Sequence, residues 1–228
     1  MKTPGQINVL IACECSQTVC KAFYDRGFNA FSCDIQDSYG TLPERHIKTD
    51  CLEIMNDKSY KWDLIIAHPP CTYLSSAGNR CFSLRVTDAE KVVERWENRA
   101  KGLSFFLQCY YADVKHIACE NPVGFITKGF RPPDQYIDPY MFSDGKEDKE
   151  NYYAKKTGLW LRGLPCLIPK ITDRFDYSIF GQWGNGKNKS WTETIGKSDR
   201  QNVRSKFPPG IAAAMAYQWG NYLLKECD

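Results

Sequence analysis

The 228-residue chain has no CxxC pair, only three histidines and no long apolar run. The first two absences exclude an ordinary structural zinc site, which needs four ligands at regular spacing. Cys13 and Cys15 are close enough to chelate, but no second cluster completes the set, and His46, His68 and His116 are scattered. No metal is therefore expected. The third absence excludes a membrane-spanning helix, which needs about 18 consecutive apolar residues. The opening MKTPGQINVLIACECS also lacks the layout of a secretory signal, so the expectation is a soluble, cytoplasmic protein.

A strong charge of either sign is missing as well. Thirty basic residues against 27 acidic ones give +3, too little to argue for nucleic acid by itself. The distribution says more. Residues 151–228 hold 12 Lys/Arg and 6 Asp/Glu, whereas residues 1–150 hold 18 and 21. A basic C-terminal third permits a polyanionic partner, and it is equally the composition of a solvated basic face. With 43% hydrophobic and 25% charged residues the chain is globular, long enough to bury its own core, and expected to form one domain over 1–228.

Cysteine, by contrast, is abundant. The eleven are odd in number and irregularly spaced, and most, such as Cys33, Cys51, Cys109 and Cys119, sit inside apolar runs as small buried hydrophobes. Cys71 has a different setting.

Strand and helix signals alternate through the first 130 residues. INVLIAC (7–13) is fit for a buried parallel strand, and Ser16 or Thr18 can cap a helix that ends near Gly27. NAFSCD (29–34) is a second strand, and HIKTDCLEIM (46–55) a third strand or its exit. KWDLIIAHPPC (61–71) is the clearest strand, stopped by two prolines that cannot extend a ladder. A helix over about 87–108 and the strand HIACENP (116–122) follow. This order predicts an α/β fold with a Rossmann-like, doubly wound, mostly parallel sheet. RPPDQYIDPYMFSDGKEDKENYY (131–153) reads as a long surface excursion, and TGLWLRGLPCLIP (157–169) as a return to the sheet. Residues 181–206 read as a polar, Gly- and Lys-rich loop with six Lys/Arg and two Trp, able to hold a strand by phosphate contact and stacking or simply to lie solvated. Residues 207–226 close the chain with a helix.

In doubly wound sheets ligands bind outside the carboxyl ends of the strands. Three such ends carry reactive residues: ACECS, AHPPC and CENP. Cys71, straight after Pro-Pro, is held on a stiff turn, where a following helix or nest of amides would favour the thiolate. Glu120 leaves a neighbouring strand at the same edge. A carboxyl emerging from the apolar HIAC run is expected to have a raised pKa and to donate a proton near neutrality. A thiolate beside a carboxylic acid suits attack on an electron-poor ring whose nitrogen is protonated as charge builds. Either residue could also be structural.

Pro69-Pro70-Cys71, Ser75 or Ser76, and Ala77-Gly78-Asn79-Arg80 resemble the Pro-Cys segment of the cytosine C5 DNA methyltransferases, and Glu120-Asn121 resembles their Glu-Asn-Val segment, with Pro122 in place of valine. The ACE-S start, DLIIAHPPCTYL, ENP, LWLxGLP and PGIAAAMA stretches are similar to a shorter phage and prophage group labelled DNA cytosine methyltransferase, over nearly the whole chain. The resemblance implies S-adenosylmethionine-dependent methyl transfer to C5 of cytosine in DNA, in the cytoplasm of a bacterium or phage-infected host. Cys71 would add to C6, Glu120 would protonate N3, and Asn121 would orient Pro-Cys and the acid. The base would be flipped out of a duplex first.

For the cofactor, Glu14 could face the amino group of the methionine part, Asp34 is positioned for the ribose hydroxyls and Asp50 could contact the adenine by analogy, with Pro69 beside them; seen alone, each of these three carboxylates is more often an N-cap or turn residue. Ser76, Arg80, Lys156 and Arg204 are the substrate-binding candidates. Two departures stand out: the first turn, ACECSQ, has no glycine, and the family's Gln-x-Arg-x-Arg segment is absent. Residues 1–130 would form the cofactor and catalytic core, 131–206 a reduced recognition region, and 207–228 the closing helix. The alternatives are the same chemistry on a free cytosine nucleotide or RNA, and a non-catalytic binding protein on the same scaffold. An N-methyltransferase fits less well, because Cys71 stands where that class places an aromatic after Pro-Pro.

Overall fold

The computed structural model describes residues 2–182 and 206–226. Seven strands form one sheet: β1 (Asn8–Ala12), β2 (Asn29–Asp34), β3 (His46–Lys48), β4 (Leu64–Ala67), β5 (His116–Pro122), β6 (Gln135–Ile137) and β7 (Thr157–Arg162). Their order is β3-β2-β1-β4-β5-β7-β6. The first five pair in parallel, and β7 runs antiparallel to both β5 and β6. This is the expected α/β, doubly wound, mostly parallel sheet.

The apolar runs dictate the centre of the sheet. Along β1, Val9 and Ile11 point into one core while Leu10 and Ala12 point into the other, and all four are fully buried. Such a strand needs apolar residues on both faces, which is why it reads as a continuous run. One face is covered by α1 (Thr18–Tyr24) and the C-terminal helix α5 (Pro209–Glu226), through Phe23, Met215 and Trp219. The other is covered by α2 (Cys51–Asn56) and α3 (Ala89–Tyr110), through Met55 and Phe106. A one-turn helix α4 (Ile126–Gly129) follows β5. Cys33, Cys51, Cys109 and Cys119 are buried, as small apolar residues in these runs should be.

The long excursion at 131–153 contains a strand that proline content hid, β6, which pairs with β7 through Gln135, Tyr136 and Ile137. Three residues are too few to show alternation. No helix among the described residues is long and apolar enough to cross a membrane. The greater part of the 181–206 loop, with Arg204, lies outside the described residues.

The chain order reverses beside β1: β2 and β3 extend the sheet on one side and β4 and β5 on the other. Strand ends splay apart there, and the crevice beyond β1 and β4 is where such a sheet takes its ligands.

Candidate active site

The turn after β1 is backbone-strained. Cys13 and Gln17 both adopt left-handed conformations, with φ of 60° and 59°. Side-chain-bearing residues take that region at a cost of order 1 kcal/mol each, so the surroundings must impose it. Two buried side chains do so. Gln17 donates to the Leu42 carbonyl at 2.6 Å and accepts from the Leu42 amide at 2.9 Å. Glu14, 4% exposed, accepts from the Val19 and Cys20 amides at 2.7 and 3.1 Å and from the Ser16 hydroxyl at 3.3 Å. The first amides of α1 have no partners within the helix, and the Glu14 carboxylate satisfies two of them. Burial pushes the Glu14 carboxyl above its usual range, while nearby His68 and those amides pull it partly back. Helix α1 is thus capped by two side chains that precede it: Glu14 takes the Val19 and Cys20 amides, and the Ser16 hydroxyl accepts from the Thr18 amide at 3.4 Å.

Asp34 and Asp50 stand on the other flank. Asp34 ends β2, half-buried, and accepts from the Gln36 amide at 2.9 Å. Ile35 beside it is 71% exposed, an apolar side chain held open at the sheet edge. Asp50 is exposed and caps α2, accepting from the Leu52 amide at 2.9 Å.

The ends of β4 and β5 are joined side chain to main chain. Asn121, fully buried, donates from Nδ2 to the Pro69 carbonyl at 2.7 Å. Glu120 Oε2 lies 3.2 Å from His68 Nδ1, within hydrogen-bond reach, and both side chains are nearly covered. The ring of Phe207 packs against His68 at a centroid distance of 4.5 Å. Glu120 is therefore not an isolated acid in an apolar pocket, as the sequence alone suggested: it has an imidazole partner in the first residue after β4.

Cys71 is half-buried, and its carbonyl accepts from the Leu74 and Ser75 amides at 3.0 and 2.9 Å. Cys71 opens a tight turn that leads into a seven-residue 3-10 helix over Ser76–Phe82. No α-helix follows it directly; α3 begins only at Ala89. The next residues are stitched to the exit of β5. Ser75 bridges Gly124, the Phe125 amide donates to the Leu74 carbonyl at 2.6 Å, and the Ser76 amide donates to the Val123 carbonyl at 3.1 Å. A Cβ on Gly124 would stand 2.0 Å from the Leu74 carbonyl oxygen, so only glycine allows this approach.

From behind, Arg99 of α3 secures the same loop. It is 5% exposed and donates to the Tyr73 carbonyl and to Asn79 Oδ1, both at 2.8 Å. Its guanidinium lies 3.5 Å from the Phe82 ring centroid, a cation–π contact in a desolvated setting. Ser76 and Arg80 are exposed on this loop, and Lys156 is exposed over the Tyr136 ring at 4.6 Å.

Sequence reasoning missed His68, Gly124 and Arg99. His68 was present in the HPPC motif and Gly124 in ENPVG; Arg99, mid-helix among charged neighbours, gave no signal.

No protein-family model matches the chain, and no curated protein does. Among solved structures it is similar to a provisionally named DNA modification methyltransferase encoded within an E. coli prophage, at 14% identity and a TM-score of 0.43. The match covers 78% of this chain and 56% of that one, so the chain spans little more than half the length of its neighbour. So slight a likeness carries no chemistry, and the fold class stands on the sheet order itself.

Proposed function

We propose that this chain is an S-adenosylmethionine-dependent methyltransferase acting on C5 of cytosine in DNA. The observation that carries the reading is the joining of the Pro-Cys turn to the Glu-Asn strand end. Asn121 holds the Pro69 carbonyl, and His68, two residues before Pro70, holds Glu120. A nucleophile and an acid that must act on one ring have to be fixed relative to each other, and these bonds do that.

The roles follow. The Cys71 thiolate adds to C6 of the target cytosine, forming the S–C bond and moving an electron pair toward N3. Glu120 delivers a proton to N3, and His68 supports its carboxyl in that exchange. C5, now electron-rich, takes a methyl cation equivalent; when bound, S-adenosylmethionine supplies that methyl from its sulfonium. Loss of the C5 proton to a base then expels the thiolate and restores the ring. Asn121 orients Pro-Cys, and exposed Ser76 and Arg80 face the strand, with Lys156 and Arg204 as further phosphate contacts. Residues 131–206, apart from β6 and β7, act as a reduced recognition region.

The chain's own residues fit the nucleoside half of the cofactor. Asp34 offers a carboxylate for the ribose hydroxyls, exposed Ile35 an apolar face for the adenine, and Asp50 an acceptor beyond it. Glu14, engaged by α1, serves the methionine part through the turn it fixes, with the Pro69 segment opposite.

The test is mass spectrometry of the protein with S-adenosylmethionine and an oligonucleotide carrying 5-fluorocytosine, whose C5 fluorine blocks elimination. A methylated adduct on Cys71, absent in Cys71→Ser, supports the reading. Cofactor binding with no adduct on duplex or single strands would move the substrate to RNA or free nucleotides. No cofactor binding would favour a non-catalytic protein.

A further inference from the structure

A cleft of about 770 Å3 lies away from Cys71. It lies between α1 and residues 149–153, with Tyr39 and Gly40 from the loop after β2 on one side and Phe207 and Pro209 on another. That volume falls within the roughly 300–1,000 Å3 of sites for small organic groups. Neither Cys71 and Glu120 nor Asp34 and Asp50 line it. Yet it borders the strand-end cluster twice. Ser16, in its wall, donates to Glu14, and Phe207, also in its wall, packs on His68.

Its chemistry narrows the occupant. Tyr39, 59% exposed, and Phe207 offer ring faces, and the Ser16 and Thr18 hydroxyls lie 3.2 Å apart. Among the charged residues, Lys21 is paired with Asp25 at 2.7 Å, which leaves Lys149 and Lys206 against Glu150. A surplus of positive charge disfavours a sulfonium cation and favours an anion. Rings beside lysines and hydroxyls suit a nucleotide, whose base stacks while its phosphate meets the cation. The cleft is too small for a duplex.

We propose that this cleft holds a nucleotide of single-stranded DNA flanking the one presented to Cys71. The identity of the strand rests on the methyl-transfer reading; the cleft's preference for a nucleotide does not. The strand would cross Phe207, placing a stacked base next to the ring that covers His68, so occupancy of the cleft would also steady the His68–Glu120 pair.

Fluorescence anisotropy of the full chain with a labelled single-stranded DNA 12-mer tests this. Tyr39→Ala should weaken binding about fivefold or more, as loss of one stacked base does. Lys149→Gln should weaken it and flatten the salt dependence by about 0.7 in log–log slope. Glu150→Gln should tighten it. Cofactor binding by calorimetry should be unchanged in all three.

Absence of strand binding by the wild-type protein overturns the proposal, as does equal binding by the Tyr39 and Lys149 variants. Loss of cofactor binding in place of strand binding would give the cleft to the cofactor and overturn it too. An RNA 12-mer bound more tightly and weakened by the same substitutions overturns the assignment to DNA. The methyl-transfer reading fails separately. An adduct on Cys71 with indifferent cleft variants sinks only the cleft, whereas sensitive cleft variants with no adduct sink only the chemistry.

Discussion

His68 Nδ1 lies 3.2 Å from Glu120 Oε2 at the meeting of β4 and β5, where the ring is also packed against Phe207. A carboxyl that must hand a proton to a ring nitrogen and later recover one benefits from a fixed partner. Glu120→Gln should lower kcat by about 10²–10⁴, the usual weight of a general acid. His68→Ala leaves the carboxyl in place but unsupported, so it should lower kcat by a smaller factor, with little change in KM. Single-turnover methylation with the two variants and their combination separates the cases. If His68 acts through Glu120, the double variant should be no slower than Glu120→Gln alone, and additive losses would make His68 an independent contributor.

Gly124 allows the closest backbone approach at the site, and Gly124→Ala should be the most damaging small substitution there. The added methyl would stand 2.0 Å from the Leu74 carbonyl, and the neighbour is backbone with no rotamer to change. The expected cost is about 3 kcal/mol or more, or displacement of the Cys71 turn. Thermal melting and the rate of Cys71 alkylation, measured together, show which occurs. A variant that melts like the wild type and reacts like it would mean the turn is looser than described.

The sheet was legible because its chemistry is local. Runs such as VLIA (9–12) and LIIA (64–67) are apolar on both faces, and Pro69-Pro70 marks where β4 must stop. Cys71, Glu120 and Asn121 could be placed at one edge for the same reason, since each follows a strand of a doubly wound sheet. What sequence could not give was partnership. Nothing in the chain says that Glu14 turns back onto the amides of Val19 and Cys20, five and six residues on, because that depends on two left-handed residues between strand and helix. Arg99 was equally silent, since an arginine in a helix of alternating charges reads as solvated until the aromatic residues around it are seen.

Asn121→Ala should act on stability and turnover together. Its Nδ2 is the partner given to the buried Pro69 carbonyl, and removing it leaves an acceptor away from water, at about 1–3 kcal/mol. The melting temperature should fall by several degrees. Turnover should drop even well below the melting point, because Pro69 precedes Cys71 by two residues. Normal turnover in a destabilised protein would confine Asn121 to folding.

Asp34→Ala and Asp50→Ala separate cofactor contact from helix capping. Asp50 caps α2, so its loss should cost about 0.5–2 kcal/mol of stability whatever its role toward a ligand. Asp34 caps no helix, and its loss should leave the melting temperature nearly unchanged while weakening S-adenosylmethionine binding about tenfold or more. Calorimetric titration of both variants, beside their melts, reads the two effects independently. An unchanged dissociation constant in Asp34→Ala would place the ribose contact elsewhere.

Glu226 gives the fold an acid-sensitive tie far from the site. At the end of α5 it accepts from Lys115 Nζ at 2.7 Å, from the Tyr222 hydroxyl at 2.6 Å and bonds His116 Nε2 at 2.8 Å. The Lys115 and Tyr222 bonds, with His116 behind them, hold its carboxyl down at about 2, against about 4.5 in an unfolded chain. A depressed folded pKa means the unfolded state binds protons first as the solution is acidified. The stabilisation is therefore complete above about pH 5 and is lost as pH falls toward 2. Glu226→Gln removes the charge at every pH, so its melting temperature should lie below that of the wild type at neutral pH. The gap between the two should close steadily between pH 5 and pH 2 in a series of thermal melts. A gap that stays constant across that range would mean the contact contributes packing and hydrogen bonds that do not depend on ionisation. Because the pair with Lys115 is open to solvent, raising the salt concentration should shrink the neutral-pH gap as well.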